Sequence, residues 1–262
     1  MITEQHIENI NRSILTVLDK FGPQKGKIDL VDTRQELTRL VEIVKIVDLL
    51  RKKNKKLELL EIGIGFSYVT SALRSVFNND ELAVNAVDHP NVPLLSNDAF
   101  KSYLAQTQVS LKHVDISSQP LPYDDSHLDV VVFSETIEHI SPTIVPIILK
   151  EIGRVLRQDG VVIISSPNLA AWHNRWRLMR GKSIFDAALP LDWAGGTYAH
   201  IRLYTADEIS LLLDHFGMKA AGVKYLKFGI NNQPPLKKAI YNFIYRVCPS
   251  LAPDLIMYAR KL

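Results

Sequence analysis

Cysteine is almost absent from this chain: Cys248 stands alone, with no Cys-x-x-Cys pair and no Cys/His ligand set. One thiol closes no intrachain disulfide, so a disulfide scaffold and a thiolate zinc site are both excluded, and a reducing compartment, the cytoplasm, is expected. No run approaches the roughly 18 uninterrupted apolar residues of a membrane span. The opening Met1-Ile2-Thr3-Glu4-Gln5-His6 carries an early acid and no apolar stretch of secretory length, so a leader is not expected. A large charge excess is missing too. The formal net charge of +3 argues for nucleic acid only if the basic residues cluster on one surface. Internal repeats and low-complexity tracts are likewise absent.

What is present is an ordinary globular composition, 47% hydrophobic and 23% charged over 262 residues, which fits one large α/β core with decorations. Residues 3–50 place Ile7, Ile10, Ile14, Val17 and Leu18, then Leu37, Leu40, Val41, Val44 and Val47, at helical spacing, with a break at Gly22-Pro23. Arg51-Lys52-Lys53-Asn54-Lys55-Lys56 reads as a solvated connector. Residues 1–56 therefore form a helical N-terminal extension and 57–262 the main domain.

From Leu57 the texture changes. Strand-like runs at 57–62, 82–87, 108–114, 128–133 and 160–165 alternate with helix-like segments near 67–78, 93–106 and 142–157, the pattern of a parallel sheet with right-handed crossovers. Gly160 is expected to stop the helix before the fifth strand. Residues 168–204 form a long aromatic and basic excursion, expected to be a lid or substrate surface. Thr205 and Glu208 have capping-box spacing before Ile209, Leu212 and Leu213, and Gly217 closes that helix. Strands near 218–228 and 254–260, with a helix at 236–247, complete the chain.

Glu61-Ile62-Gly63-Ile64-Gly65 carries a strand into a glycine turn, where bare backbone lets a ligand approach closely. The third glycine of the dinucleotide fingerprint is missing, with Ser67 in its region, which weakens a nicotinamide reading. Asp88 ends the second strand, placed to accept from ribose hydroxyls, and Asp115-Ile116 ends the third, placed near an adenine. After the fourth strand come Ser134, Glu135, Glu138 and His139. A helix starting after Ser134 would set Glu135, Glu138 and His139 at i, i+3 and i+4 on one face.

These motifs, with Glu151-Ile152-Gly153-Arg154-Val155-Leu156 leading to Ser165-Ser166-Pro167-Asn168, resemble the class I S-adenosylmethionine-dependent methyltransferases, particularly the ubiquinone-type and glycan-cluster O-methyltransferases. The resemblance spans residues 57–166. It implies a Rossmann-like seven-stranded α/β sheet with a lid inserted after the fifth strand. It also implies that Glu61, Gly63 and Gly65 hold the methionine part, Asp88 the ribose, Asp115 and Ile116 the adenine, and Ser134 the sulfonium side.

Methyl transfer to a hydroxyl needs a proton acceptor besides alignment, and His139 suits that task because imidazole titrates near neutral pH. Glu135, Glu138 and His139 followed by His200 also resemble the divalent-metal site of small-RNA 3′-terminal 2′-O-methyltransferases, a donor set that suits Mg²⁺ or Mn²⁺. The candidate catalytic residues are thus His139, Glu138 and His200, and the candidate metal ligands Glu135, Glu138, His139 and His200. The expected acceptor is a sugar, a glycan precursor or a related small metabolite; the alternatives are an RNA ribose and a non-catalytic protein that keeps the cofactor fold. In the excursion, Trp172 and Trp176 beside Arg175, Arg177 and Arg180 read equally as a stacking surface and as a lid helix packed on the core. The amphipathic basic stretch 234–246 reads either as a helix packed on the sheet or as a peripheral membrane contact. Nothing in the sequence sets an oligomeric state.

Overall fold

The computed structural model describes residues 1–22, 33–51, 55–185, 200–227 and 234–262. Seven strands form one sheet: β1 (Leu57–Ile62), β2 (Leu82–Asp88), β3 (Val109–His113), β4 (Leu128–Ser134), β5 (Leu156–Pro167), β6 (Met218–Leu226) and β7 (Asp254–Lys261). Their spatial order is β3-β2-β1-β4-β5-β7-β6, with β1 to β5 parallel and β7 antiparallel between β5 and β6. The strand order reverses between β1 and β4, so a crevice opens outside their carboxyl ends, where ligands of open α/β sheets sit.

The helices are α1 (Glu4–Phe21), α2 (Thr33–Leu50), α3 (Tyr68–Arg74), α4 (Asp98–Gln106), α5 (Val145–Val155), α6 (Trp172–Met179), α7 (Ala206–His215) and α8 (Pro235–Val247). Strands covered on both faces must be apolar on both, which explains the unbroken runs seen in the sequence. Leu59, Val84, Val130, Val132 and Ile163 point to the layer of α1 to α4, whereas Leu60, Ile62, Val131, Phe133 and Ile164 point to α5 and α7. Ile10 and Ile14 of α1 and Leu40, Ile43 and Val44 of α2 are fully buried in the first of these layers. The N-terminal helices are therefore one wall of the main core, each such side chain stabilising it by roughly 1.5–3 kcal/mol.

Thr205 and Glu208 form the expected capping box on α7, and Gly217 follows that helix at φ +73. Gly160, however, does not stop a helix. α5 ends at Val155 and the chain enters β5 directly, Leu156 pairing with Leu128 across a register irregularity. Asp159, at φ +63, makes the local bend, so strand pairing has overridden the helical preference of Leu156-Arg157-Gln158. The basic connector is anchored on both sides of residues 52–54, which lie outside the described residues: Arg51 pairs with Glu81 and Lys55 with Asp129. Among the described residues no helix is long and apolar enough to cross a membrane.

Candidate active site

The crevice is built first by the turn after β1. Gly63 has φ +80, and a Cβ there would stand 2.6 Å from Thr136 Oγ1, so this glycine is needed both for its conformation and for the close approach of the β4 loop. Gly65, at φ +47, donates its N–H to Asp88 Oδ2 at 2.9 Å. Asp88 also accepts from His89 N at 2.7 Å; burial raises its pKa, the two backbone donors opposing the rise. Asp115 is held on the neighbouring rim by the Ser117 and Ser118 hydroxyls, which push its pKa down. Ile116 follows it, partly buried against the second core layer.

Glu61 lies inside β1, 3% exposed, and accepts from Thr70 N at 3.1 Å. Burial holds its carboxyl well above the ordinary range, the Thr70 hydrogen bond opposing the rise. The Ser134 hydroxyl is 2.7 Å from that of Ser165, which donates to Glu135 Oε1 at 2.8 Å.

Beyond Ser134 the backbone departs from the expected helix. Glu135 adopts a left-handed conformation, φ +48, and the chain then makes a single 3-10 turn over Ile137–His139. That inversion sends the two glutamates to different neighbours. Glu135 meets the guanidinium of Arg39 from α2 at 3.1 Å, and Arg39 is also paired with Glu36 and lies 3.9 Å from Asp254 at the start of β7. Glu138, 1% exposed, turns into the interior, where among the described residues neither carboxylate oxygen has a well-formed hydrogen bond. Burial foremost, with the Glu135 charge adding to it, raises its pKa well above the carboxylate range; the Ser166 hydroxyl gives small relief.

The Glu138 carbonyl accepts from Ile201 N at 2.7 Å and Arg202 N at 3.2 Å, which draws His200 to the same place. The His139 and His200 rings lie 5.0 Å apart, and one donor atom from each of Glu138, His139 and His200 falls within 4.8 Å of the others. Glu135 does not join these three. An undersatisfied buried carboxylate beside two imidazoles is a donor set that fits a divalent cation.

Arg39, Glu36 and Asp254 had no signal in the sequence. Glu36 lies one turn from Arg39 on α2, and only the fold shows that Arg39 also reaches two acids from distant segments, Glu135 and Asp254. In the excursion, Trp172 packs against the small Tyr245–Ala252 cluster, whereas Trp176 is half exposed; residues 186–199 lie outside the described residues. Asn168 fixes the root of α6 by donating to the Ser250 and Ala252 carbonyls at 2.7 and 2.8 Å.

Residues 32–221 match the Methyltransferase domain family. No curated protein matches the chain. Among solved structures, a SAM-dependent methyltransferase from Archaeoglobus fulgidus aligns at 14% identity over 86% of this chain and 94% of its own, with a TM-score of 0.55. A putative sarcosine dimethylglycine methyltransferase from Galdieria sulphuraria aligns at 14% identity over 97% and 98%, TM-score 0.56. The Burkholderia thailandensis 1,6-didemethyltoxoflavin-N1-methyltransferase, solved with its substrate and S-adenosylhomocysteine, aligns at 15% identity over 100% and 92%, TM-score 0.55. With the glycine turn, Asp88 and Asp115 gathered along the carboxyl ends of the strands of the shared fold, the chain belongs to the Methyltransferase domain family.

Proposed function

We propose that the acceptor atom is an oxygen, a hydroxyl of a sugar, a glycan precursor or a related small metabolite, as in the ubiquinone-type and glycan-cluster O-methyltransferases. The observation that carries this reading is the Glu138–His139–His200 cluster. S-adenosylmethionine supplies an already activated methyl group, so the protein has to align the acceptor and take its proton. In this reading Gly63, Gly65 and Glu61 bind the methionine end, Asp88 the ribose, Asp115 and Ile116 the adenine, and Ser134 faces the sulfonium.

His139 accepts the hydroxyl proton, and His200 beside it orients the acceptor. Glu138, His139 and His200 are also the residues that would hold Mg²⁺ or Mn²⁺; bound there, the ion would supply Lewis acidity that eases ionisation of a nearby hydroxyl. Glu135 is left out of this set because Arg39 and Ser165 already engage it. The same three residues support a second reading, an RNA ribose as the acceptor.

The test is calorimetric titration of metal-stripped protein with S-adenosylmethionine, followed by Mn²⁺, for wild type, Glu138→Ala and His200→Ala. Ion binding that disappears in both variants while cofactor binding persists supports the metal-assisted form. Cofactor binding without any ion binding leaves His139 as base alone; a His139→Ala variant that then methylates hydroxyl acceptors at the wild-type rate refutes the base role of His139, and a wild-type protein that methylates only nitrogen or carbon acceptors refutes the oxygen assignment. Methylation of an RNA end, with affinity falling steeply with salt, selects the ribose.

A further inference from the structure

α8 is mounted with its apolar face outward. Its body contacts come from Tyr245, 5% exposed, and the partly buried Tyr241 and Ile244, which pack with Ala252, Leu251 and Trp172. Leu236, Ile240, Phe243 and Val247 are instead 74%, 49%, 68% and 69% exposed. At about 100° per residue these four fall within roughly 60° of one another on the helix surface, a continuous ridge about 17 Å long. Lys237 stands about a quarter turn to one side of the ridge and Arg246 about a quarter turn to the other. The helix contains no acidic residue, and neither do residues 169–185 of the α6 segment, where Arg175, Arg177, Arg180 and Lys182 accompany the exposed Trp176 and Met179.

An apolar ridge flanked by a cation on each side is the arrangement of a helix lying in the plane of a bilayer interface, where acyl chains take the ridge and basic side chains reach up to lipid phosphates. A protein groove would take the ridge but would leave the flanking cations without a reason, and a nucleic acid would take the cations but would leave four aliphatic and aromatic side chains in water. We propose that α8, with the adjoining α6 segment, docks the enzyme on an anionic lipid bilayer. Trp172 and Asn168 tie α6 to the region where β5 ends and β7 begins, the edge that also carries Ser165, Glu135 and Asp254. Docking there turns the acceptor side of the crevice toward the lipid, so the inference also narrows the proposed acceptor to one presented at a membrane surface. The docking itself does not depend on the oxygen or the metal reading.

The experiment is co-sedimentation of the full chain with vesicles of phosphatidylcholine alone and of phosphatidylcholine with phosphatidylglycerol, at low and high salt. Partitioning should be at least about tenfold stronger onto the anionic vesicles and fall with salt, since each surface cation contributes about fivefold. Ile240→Ser with Phe243→Ser should reduce it about tenfold or more, while S-adenosylhomocysteine binding and thermal unfolding stay at wild-type values. Lys237→Gln with Arg246→Gln should weaken the preference for anionic lipid by at least about fivefold, and Phe243→Trp should retain it. Equal sedimentation of wild type and the double serine variant overturns the proposal. So does binding to polyuridylate without binding to vesicles, and so does self-association abolished by the serine substitutions in a protein that ignores lipid. Because lipid binding is read without turnover, its failure is separate from any failure of the catalytic assignment.

Discussion

Replacing Arg39 by leucine should cost this protein about 3–5 kcal/mol of folding stability at pH 8, because it removes the charge compensating a buried group of acids while keeping much of the side-chain volume. Arg39 is 6% exposed and faces Glu36, Glu135 and Asp254 from three separate segments. Against the roughly 5–15 kcal/mol that stabilises a typical domain, such a loss is a large fraction. The cost should shrink as pH falls. Burial raises the pKa of Glu36 and of Asp254 even with Arg39 in place, and without the guanidinium both rise further. A carboxyl with a raised folded-state pKa binds its proton more tightly in the native protein than in the unfolded chain. Its stabilising contribution is full below the unfolded value near 4 and is lost as pH rises through the folded value. The leucine variant should therefore approach wild type near pH 5 and diverge from it toward pH 8. Urea unfolding at both pH values, with the slope against denaturant held as a control on compactness, measures the difference. Arg39→Lys keeps the charge but loses the planar fork, and should fall between the two. A loss below about 1 kcal/mol at pH 8, or an equal loss at both pH values, would refute the view that Arg39 compensates buried charge.

Three further outcomes follow from single contacts. Gly63→Ala puts a methyl 2.6 Å from Thr136 Oγ1 at φ +80, and should weaken S-adenosylhomocysteine binding by at least about tenfold in calorimetry, with a lowered Tm. Asp88→Ala removes a charged acceptor proposed to hold both ribose hydroxyls, at about 1.5–3 kcal/mol for such bonds, so cofactor affinity should drop about tenfold to a hundredfold with little change in acceptor KM. Thr205→Ala breaks the capping box with Glu208 and should cost about 1 kcal/mol in urea unfolding without altering cofactor affinity.

The sheet and the cofactor rim were legible because their signals are local. Buried strands such as Val130-Val131-Val132-Phe133 are apolar without interruption, the glycine turn follows β1 at once, and Asp88 and Asp115 stand at the ends of β2 and β3. Thr205 and Glu208 announce α7 by a spacing that one helical turn enforces. The failures have long-range causes. Gly160 lost its expected role because Leu156 found Leu128 across the sheet, and nothing near Leu156 encodes that pairing. Arg39 had no role in the sequence reading because two of its acidic neighbours, Glu135 and Asp254, lie far along the chain. α8 was legible as amphipathic, but which face it would turn inward was not: Tyr241 and Tyr245 supply its anchoring contacts while its more apolar residues remain outside.

The deepest of these divergences is at Glu135. Helical spacing puts Glu135, Glu138 and His139 together, and a helix would have made one cluster of two carboxylates beside the histidines. A single residue in the left-handed region, φ +48, replaces that helix with an inversion, a conformation costing about 1–2 kcal/mol for a residue with a Cβ. Several bonds hold it there: the Glu135 N–H donates to the Ser165 carbonyl at 3.0 Å, the Ser165 hydroxyl donates to its carboxylate, and Arg39 closes over the same group. The inversion separates the acids by task. Glu135 is paired with Arg39 and braces the loop against α2, whereas Glu138 is the buried carboxylate that, among the described residues, faces His139 and His200. The N-terminal helices, which look in sequence like an appendage, thereby supply the cation that pairs with Glu135 beside the Glu138–His139–His200 cluster, so the geometry proposed for Glu138 depends on α2 being in place.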